Sequence, residues 1–451
     1  MILKLQITRL RRVRIELFLC FVFACFTFPS FLAAERASST EVRGPFLVTE
    51  VLRPYVDFWK MIFSKYGEHQ AVFHHRQYPG IVYSVLDFSA LAENNSPRDL
   101  ARQKSREVDA ETARISNTLE RLAKGEKASD AFERRVARLF TTFRNGRGVS
   151  YRAALDEGQI RFQTGIRERF AEGVKRSSRY LHAIEQIFAD YALPVELSRL
   201  PLVESSFDYT AYSSVGAAGI WQFMRSTGKK YMRIDSYIDE RRDPIVATRA
   251  AAQYLAHAYK TLEAWPLAVT SYNHGITGVL RAAKSTGSRN IETLITEYDG
   301  ESFGFASQNF YAEFLAAVEV ERNASQLFPE LVRDEPWYFD EVRLGRSLGI
   351  NQLASFAGVP LAEIQRLNPA LLKPISSGRV SIPNGVLVKV PHNTGTKVVR
   401  SLGGGTVVTE SFYAEGRVIN SPGSSGASKP IEKKKPSTQP KATAKKKSGR
   451  K

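Results

Sequence analysis

Cysteine is nearly absent. The two in 451 residues, Cys20 and Cys25, sit in one apolar run near the N-terminus, so the rest of the chain can build no disulfide framework, thiolate metal site or cysteine nucleophile. Histidine is also scarce, with seven in all. Only His74 and His75 are close, and adjacent residues do not share a helix face as a metal-binding i,i+4 pair does. No metal and no organic cofactor is implied. Apolar residues make up 43%, enough for two or three cores in a chain too long for one.

Acidic residues are in deficit, and the formal charge of +18 at first suggests a polyanionic partner. Residues 429–451 hold ten Lys or Arg against Glu432, and Lys4, Arg9, Arg11, Arg12 and Arg14 stand against Glu16; taking away +9 and +4 leaves +5 for residues 17–428. The part able to fold is only mildly basic, which argues against nucleic acid as a partner. The N-terminal positives precede the apolar run 17–34, LFLCFVFACFTFPSFLAA, in the order of a secretory signal. Export is expected, with residues 1–34 removed as a signal peptide or kept as an anchor. The run is near the lower length limit for spanning a bilayer. Val22-Phe23-Ala24-Cys25 offers a lipoprotein signal weakened by the bulk of Phe23. Residues 393–451 read as a linker and a disordered Lys-rich tail, because apolar residues almost vanish after Ser421. Such a tail suits a membrane surface or an anionic envelope polymer, or serves solubility alone.

Between these ends the pattern is mainly α. Residues 35–150 form a mostly helical region: a helix over 48–66, a short strand over 81–88, and one or two amphipathic helices over 96–144. Residues 151–330 read as helix after helix. Tyr180, Ile184 and Phe188 recur every four residues, and Asp243-Pro244 supplies an N-cap and first-turn proline for a helix running to about Leu262. Residues 336–392 change character, with strands at 341–344 and 386–390 around helices at 350–357 and 361–367. That order predicts a small βααβ module.

Chemistry concentrates in three segments. In 194–207, PVELSRLPLVESSF, Glu204 is one carboxylate between apolar residues and two serines. A carboxyl in dry surroundings resists ionisation and can stay protonated to serve as a general acid. Pro201 is expected to kink a helix there. In 213–223, SSVGAAGIWQF, Gly216 and Gly219 permit close backbone approach. Trp221 either stacks on a sugar or fills a core, and Gln222 offers an amide to a hydroxyl or acetamido group. In 271–275, Ser-Tyr-Asn-His-Gly between two helical stretches, Tyr272 can orient a carboxylic acid and Asn273 can present an amide. Asp208, four residues after Glu204, reads as a turn former rather than as a second acid.

Glu204-Ser205, Gly219-Ile220-Trp221-Gln222 and Tyr272-Asn273, in this order and spacing, resemble the motif series of the soluble-lytic-transglycosylase family. Residues 239–244 (DERRDP) and 303–315 (FGFASQNFYAEFL) resemble a membrane-bound branch of it. The resemblance implies a lysozyme-like α domain over 151–330, acting on peptidoglycan glycan strands in the periplasm or cell envelope. It further implies that Glu204 is the acid/base, with Ser205, Trp221, Gln222, Tyr272, Asn273 and Tyr311 orienting it or the substrate. The implied reaction cleaves between N-acetylmuramic acid and N-acetylglucosamine and closes a 1,6-anhydro ring without water, which removes the usual need for a second carboxylate. A lysozyme-like hydrolase and a non-catalytic wall-binding protein are the alternatives. Residues 336–392 resemble a degenerate lysin motif (LysM) through Gly345-Arg346-Ser347-Leu348, Leu367-Asn368-Pro369 and Val388-Lys389-Val390-Pro391, with Arg346 where an aspartate is usual.

Overall fold

The computed structural model describes residues 44–143 and 149–409. The 1–34 segment, both cysteines and the Lys-rich tail lie outside the described residues. Among those described, no helix is long and apolar enough to cross a membrane. The chain is mainly α, as expected, and its buried apolar side chains form three clusters.

One helix, Phe305–Arg322, organises the central cluster. From Asn309 to Glu321 every residue is buried except Glu313. A helix apolar on all sides has to be wrapped by others, and helices Arg53–Ser64, Trp265–His274 and Leu200–Glu204 pack against it. Arg53–Ser64 therefore belongs to this core and not to a separate N-terminal region. Its buried stripe includes Phe58, Trp59, Ile62 and Phe63, wide enough to need a helix partner. The Trp59 indole donates to Asn309 Oδ1 at 3.0 Å, and Phe63 stacks on Phe170 with centroids 4.8 Å apart.

The N-terminal cluster lies under an antiparallel sheet of order β2-β1-β3, formed by β1 (Gln70–His75), β2 (Val82–Asp87) and β3 (Ile160–Thr164). The third strand lies past the boundary expected at 150. Two helices, Pro97–Ala123 and Ala131–Phe143, contribute Ile115, Leu119, Val136 and Phe140 to this cluster. The first is started by Ser96, whose hydroxyl accepts from the Asp99 amide, with Pro97 in the first turn.

His74 and Arg161 are cross-strand partners and both lie on the Phe305 ring, at 5.5 and 4.3 Å. His74 Nδ1 donates to the His75 carbonyl at 3.0 Å, while His75 Nδ1 accepts from the Gln77 amide at 3.1 Å. Burial lowers their pKa values from 6.5 to about 3 and about 4. The unfolded chain therefore takes up these protons below pH 6.5, and the folded chain does so only near pH 3–4. Stability is expected to fall with pH through this window, by about 1.4 kcal/mol per pH unit for each histidine. Denaturant midpoints between pH 6.5 and 4.5 check this, and His74→Phe should flatten the slope. A slope unchanged by that variant would remove His74 from the account.

The C-terminal module has the two strands and two helices expected, β4 (Phe339–Leu344), helices Ile350–Ala357 and Leu361–Leu367, and β5 (Leu387–Pro391), with a further four-residue helix, Lys373–Ser376, before β5. It does not stop at 392. A helix at Gly395–Leu402 and a strand β6 at Gly405–Thr409 complete a sheet of order β5-β4-β6. Val398 and Leu402 are buried in the module core; so few apolar residues among Gly, Thr and Lys made this stretch read as linker. Asn368 of Leu367-Asn368-Pro369 accepts from the Lys389 amide at 2.8 Å and donates to the Lys389 carbonyl at 2.7 Å. Arg346 donates to the Leu402 carbonyl at 3.0 Å, a favourable place for a cation at a helix C-terminus.

The module is welded to the central domain. The Asp239 amide donates to the Ala370 carbonyl and the Leu372 amide to the Tyr237 carbonyl, each at 2.9 Å, and Ile238 is buried in the module core. Lys389, 5% exposed, pairs with Asp243 and lies 3.6 Å from Glu341. Asp243 is also the N-cap of helix Pro244–Leu262, accepting from the Ile245 and Val246 amides, as its sequence predicts.

Candidate functional site

Glu204 is the last residue of the five-residue helix Leu200–Glu204. Pro201 does not kink a longer helix; it sits in the first turn, where its missing amide costs nothing, and a 3₁₀ segment, Val195–Arg199, precedes it. Beyond Glu204 the chain reverses through Ser206 and Phe207, both with positive φ, at 51° and 55°. Two successive non-glycine residues in this region cost backbone energy that the surroundings must hold in place. Gly173 makes room, since a Cβ there would lie 2.9 Å from that of Ser206, and Arg176 donates to the Ser206 carbonyl at 2.8 Å.

The Gly219–Gln222 turn is pinned from two sides. The Ser205 hydroxyl donates to the Ile220 carbonyl at 2.9 Å, and the Tyr272 hydroxyl to the Trp221 carbonyl, also at 2.9 Å. Ser205 is buried and reaches this turn rather than a ligand. Trp221 is fully buried, stacked on Phe188 at 5.7 Å with its indole donating to Thr248 Oγ1. Of the two readings of Trp221, a sugar platform or a core residue, the structure has the core residue, and its place among residues that touch substrate is corrected accordingly. Gln222 has φ 46° and its amide donates to the Gly219 carbonyl at 2.8 Å.

Arg241, fully buried, clamps the same loop. It forms a two-pronged pair with Asp239 and donates to the carbonyls of Gly216 and Phe223 at 2.7 and 3.0 Å. A Cβ at Gly219, whose φ is +75°, would lie 1.8 Å from the Arg241 carbonyl oxygen. Gly219→Ala must therefore displace backbone. It is expected to cost at least about 2 kcal/mol, checked by urea denaturation; an unchanged midpoint would mean that the turn can move freely.

Tyr272 and Asn273 lie in the last turn of helix Trp265–His274, not in a loop. Tyr272, Asn273, Gln222, Phe223, Met224 and Tyr254 line a pocket of about 250 Å³. Asn273 is exposed, and its Oδ1 accepts from the Ser307 hydroxyl at 2.8 Å, which leaves the amide nitrogen toward solvent. Tyr311 is buried on the 305–322 helix, and burial pushes its hydroxyl pKa up. Asp208 takes the Thr210 amide and hydroxyl on one oxygen, the turn role expected of it.

Glu204 is half-buried and has no hydrogen bond or ion pair among the described residues. Burial, and after it the nearby carboxylate of Glu313, raise its pKa from 4.5 to about 8. The Tyr272 hydroxyl is held well above 10, first by burial and then by the charge of Glu204. Sequence reasoning missed Glu313, itself raised to about 8 by burial. The signal was present in FYAEFLAA, residues 310–317, where one carboxylate stands among apolar residues as Glu204 does.

Glu204 thus lies near Tyr272, which lines this pocket. Among known proteins, the chain is 26% identical over 251 residues to membrane-bound lytic murein transglycosylase D of Escherichia coli, covering 54% of each chain. Over 109 residues it is 36% identical to a putative tributyltin chloride resistance protein of Alteromonas sp., covering 24% of this chain and 53% of that one. An inactive mutant of the lytic transglycosylase Slt from Pseudomonas aeruginosa aligns with TM-score 0.27 and 17% identity, over 53% of this chain and 35% of its own. The chain spans about half the length of the curated relatives it matches. Residues 183–295, which carry Glu204, the Gly219–Gln222 turn and Tyr272-Asn273, match the family model described as the transglycosylase SLT domain.

Proposed function

We propose that the chain is a lytic transglycosylase that cleaves peptidoglycan glycan strands with a lysozyme-like helical domain. The observation that carries this is Glu204: unpaired among the described residues, half-buried, with a pKa raised to about 8, beside the Tyr272 that lines the pocket. At neutral pH it holds the proton that a leaving sugar oxygen needs. Glu204 gives this proton to the oxygen linking N-acetylmuramic acid to N-acetylglucosamine, while the muramic acid 2-acetamido group supports the anomeric carbon. Glu204, now a carboxylate, takes the proton from the C6 hydroxyl as that oxygen bonds to the anomeric carbon and forms the 1,6-anhydro ring. Gln222 and Asn273 hold substrate polar groups. Ser205, Tyr272 and Trp221 keep the turn that aims Gln222.

The name of the Escherichia coli relative, a murein enzyme, supports the substrate class. Export and the periplasmic or envelope location remain part of the same proposal, as do contacts of the basic tail with a membrane or anionic polymer. In this reading the 336–409 module braces the central domain; the engagement of Arg346, Asn368 and Lys389 in internal contacts favours a brace over a lysin-motif glycan site. Purified sacculi incubated with the protein should clear, and should not clear with Glu204→Gln. Co-sedimentation without clearing by either would make the chain a wall-binding protein instead.

A further inference from the structure

Three carboxylates interrupt the buried stretch of the 305–322 helix. Glu319 receives Arg53 at 3.0 Å and Lys60 at 2.8 Å, and Glu321 receives Arg199 at 3.3 Å and Arg333 at 3.0 Å. Glu313 has no ion pair and no hydrogen bond among the described residues. It is also the one residue between Asn309 and Glu321 that is only partly buried. An enclosed carboxylate without a cation is costly and resists ionisation, so its retention in an otherwise apolar stretch calls for a use. The helix packs against the one ending at Glu204 and against the one carrying Tyr272 and Asn273. Two partly buried carboxyls, neither with a cation among the described residues, thus lie on packed helices, near enough for the charge of one to act on the other.

We propose that Glu313 is a positioning residue for the proton of Glu204: the two carboxyls titrate as one pair, so that Glu204 begins the cleavage step in its acid form. This rests on the reading of Glu204 as the acid. Groups facing the pair do not offset it. From helix Arg53–Ser64, Arg53 and Lys60 are taken by Glu319, and Asp57 lies with them. Arg199, before the Glu204 helix, is taken by Glu185 and Glu321, and Glu196 there pairs with Arg322. Arg176 of helix Arg167–Ser177 donates to the Ser206 carbonyl, with Glu172 beside it. Helix Trp265–His274 brings the Tyr272 phenol and His274, which is turned to Ser307. Helix Ile291–Glu297 adds Glu292, bonded to Thr49, and Glu297.

A pair of this kind loses its protons in two steps, the second held back by the charge left by the first. Glu313 gives up the first proton, and the charge it then carries holds the second on Glu204; in the reaction only the proton of Glu204 moves, to the leaving oxygen and back from the C6 hydroxyl.

The test is the pH dependence of sacculus clearing by the full chain, wild type against Glu313→Gln and Glu313→Asp, with thermal unfolding of each. Wild-type activity should fall off on the basic side near pH 8. In Glu313→Gln that limb should move about one pH unit lower, about a tenfold loss above the limb with little change at pH 6. Glu313→Asp should restore it at least in part. An unmoved limb, or the same loss at every pH, would overturn the proposal by leaving Glu313 a packing role. Carbon-13 NMR titration of the Glu204 carboxyl in the same proteins reads the proton without turnover: a midpoint lower in Glu313→Gln supports the pair, and an equal one overturns it. An inactive wild type would count against the proposed function alone.

Discussion

Glu204→Gln is expected to slow glycan cleavage by roughly 10²–10⁴-fold, the range for loss of a general acid/base, while leaving the fold intact. Glutamine fills the same space but has no proton to give. The same substitution should make the protein more stable in mild alkali. The folded-state pKa of Glu204 is about 8, raised above 4.5 by burial and by Glu313. The stability linked to its proton is therefore full below pH 4.5 and lost as pH rises through 8. Glutamine behaves as the protonated form at every pH. Glu204→Gln should thus unfold a few degrees higher than wild type at pH 8.5, on the scale of about 2–4 °C per kcal/mol, and close to wild type at pH 5. A loss of activity with a fall in Tm at both pH values would point instead to a damaged fold.

Lys389→Met is expected to produce the largest loss of stability. Lys389 is buried against Asp243 and Glu341, which are 5% and 0% exposed. Removing the cation leaves two buried carboxylates, of which Glu341 keeps a cation, Arg249 at 2.9 Å, and Asp243 keeps only the amides it caps among the described residues. Breaking a buried pair in this way costs about 3–5 kcal/mol. Asp243 also caps the 244–262 helix, and the segment between it and Arg241 closes on the Gly219 turn, so the damage should reach the site as slower clearing of sacculi. Urea denaturation measures the loss, and the double variant Lys389→Met with Asp243→Asn should recover part of it. A cost below about 1 kcal/mol would mean that backbone contacts around Ile238 and Leu371 hold the module without the pair.

The features readable in the sequence were those set by local chemistry. Asp243-Pro244 announced a helix start, the dry neighbours of Glu204 announced a raised pKa, and the alternation around 341–344 and 386–390 announced paired strands. What was hidden depended on distant partners. Trp221 and Gln222 are adjacent and both could touch a sugar, but the packing of Phe188 and Thr248 turns one inward and the Gly219 turn leaves the other at the pocket. Glu313, Glu319 and Glu321 look alike in sequence. Only the arrival of Arg53, Lys60, Arg199 and Arg333 from other segments separates the paired carboxylates from the one left beside Glu204. The helix at 395–402 was missed because two buried residues, Val398 and Leu402, carry too little periodicity to stand out from a polar stretch.

Mass spectrometry of the fragments released from purified peptidoglycan tests the central claim most directly. The wild type should give muropeptides ending in 1,6-anhydromuramic acid, one water lighter than reducing ends, and Glu204→Gln should give none; reducing ends from the wild type would contradict the account and make the chain a hydrolase.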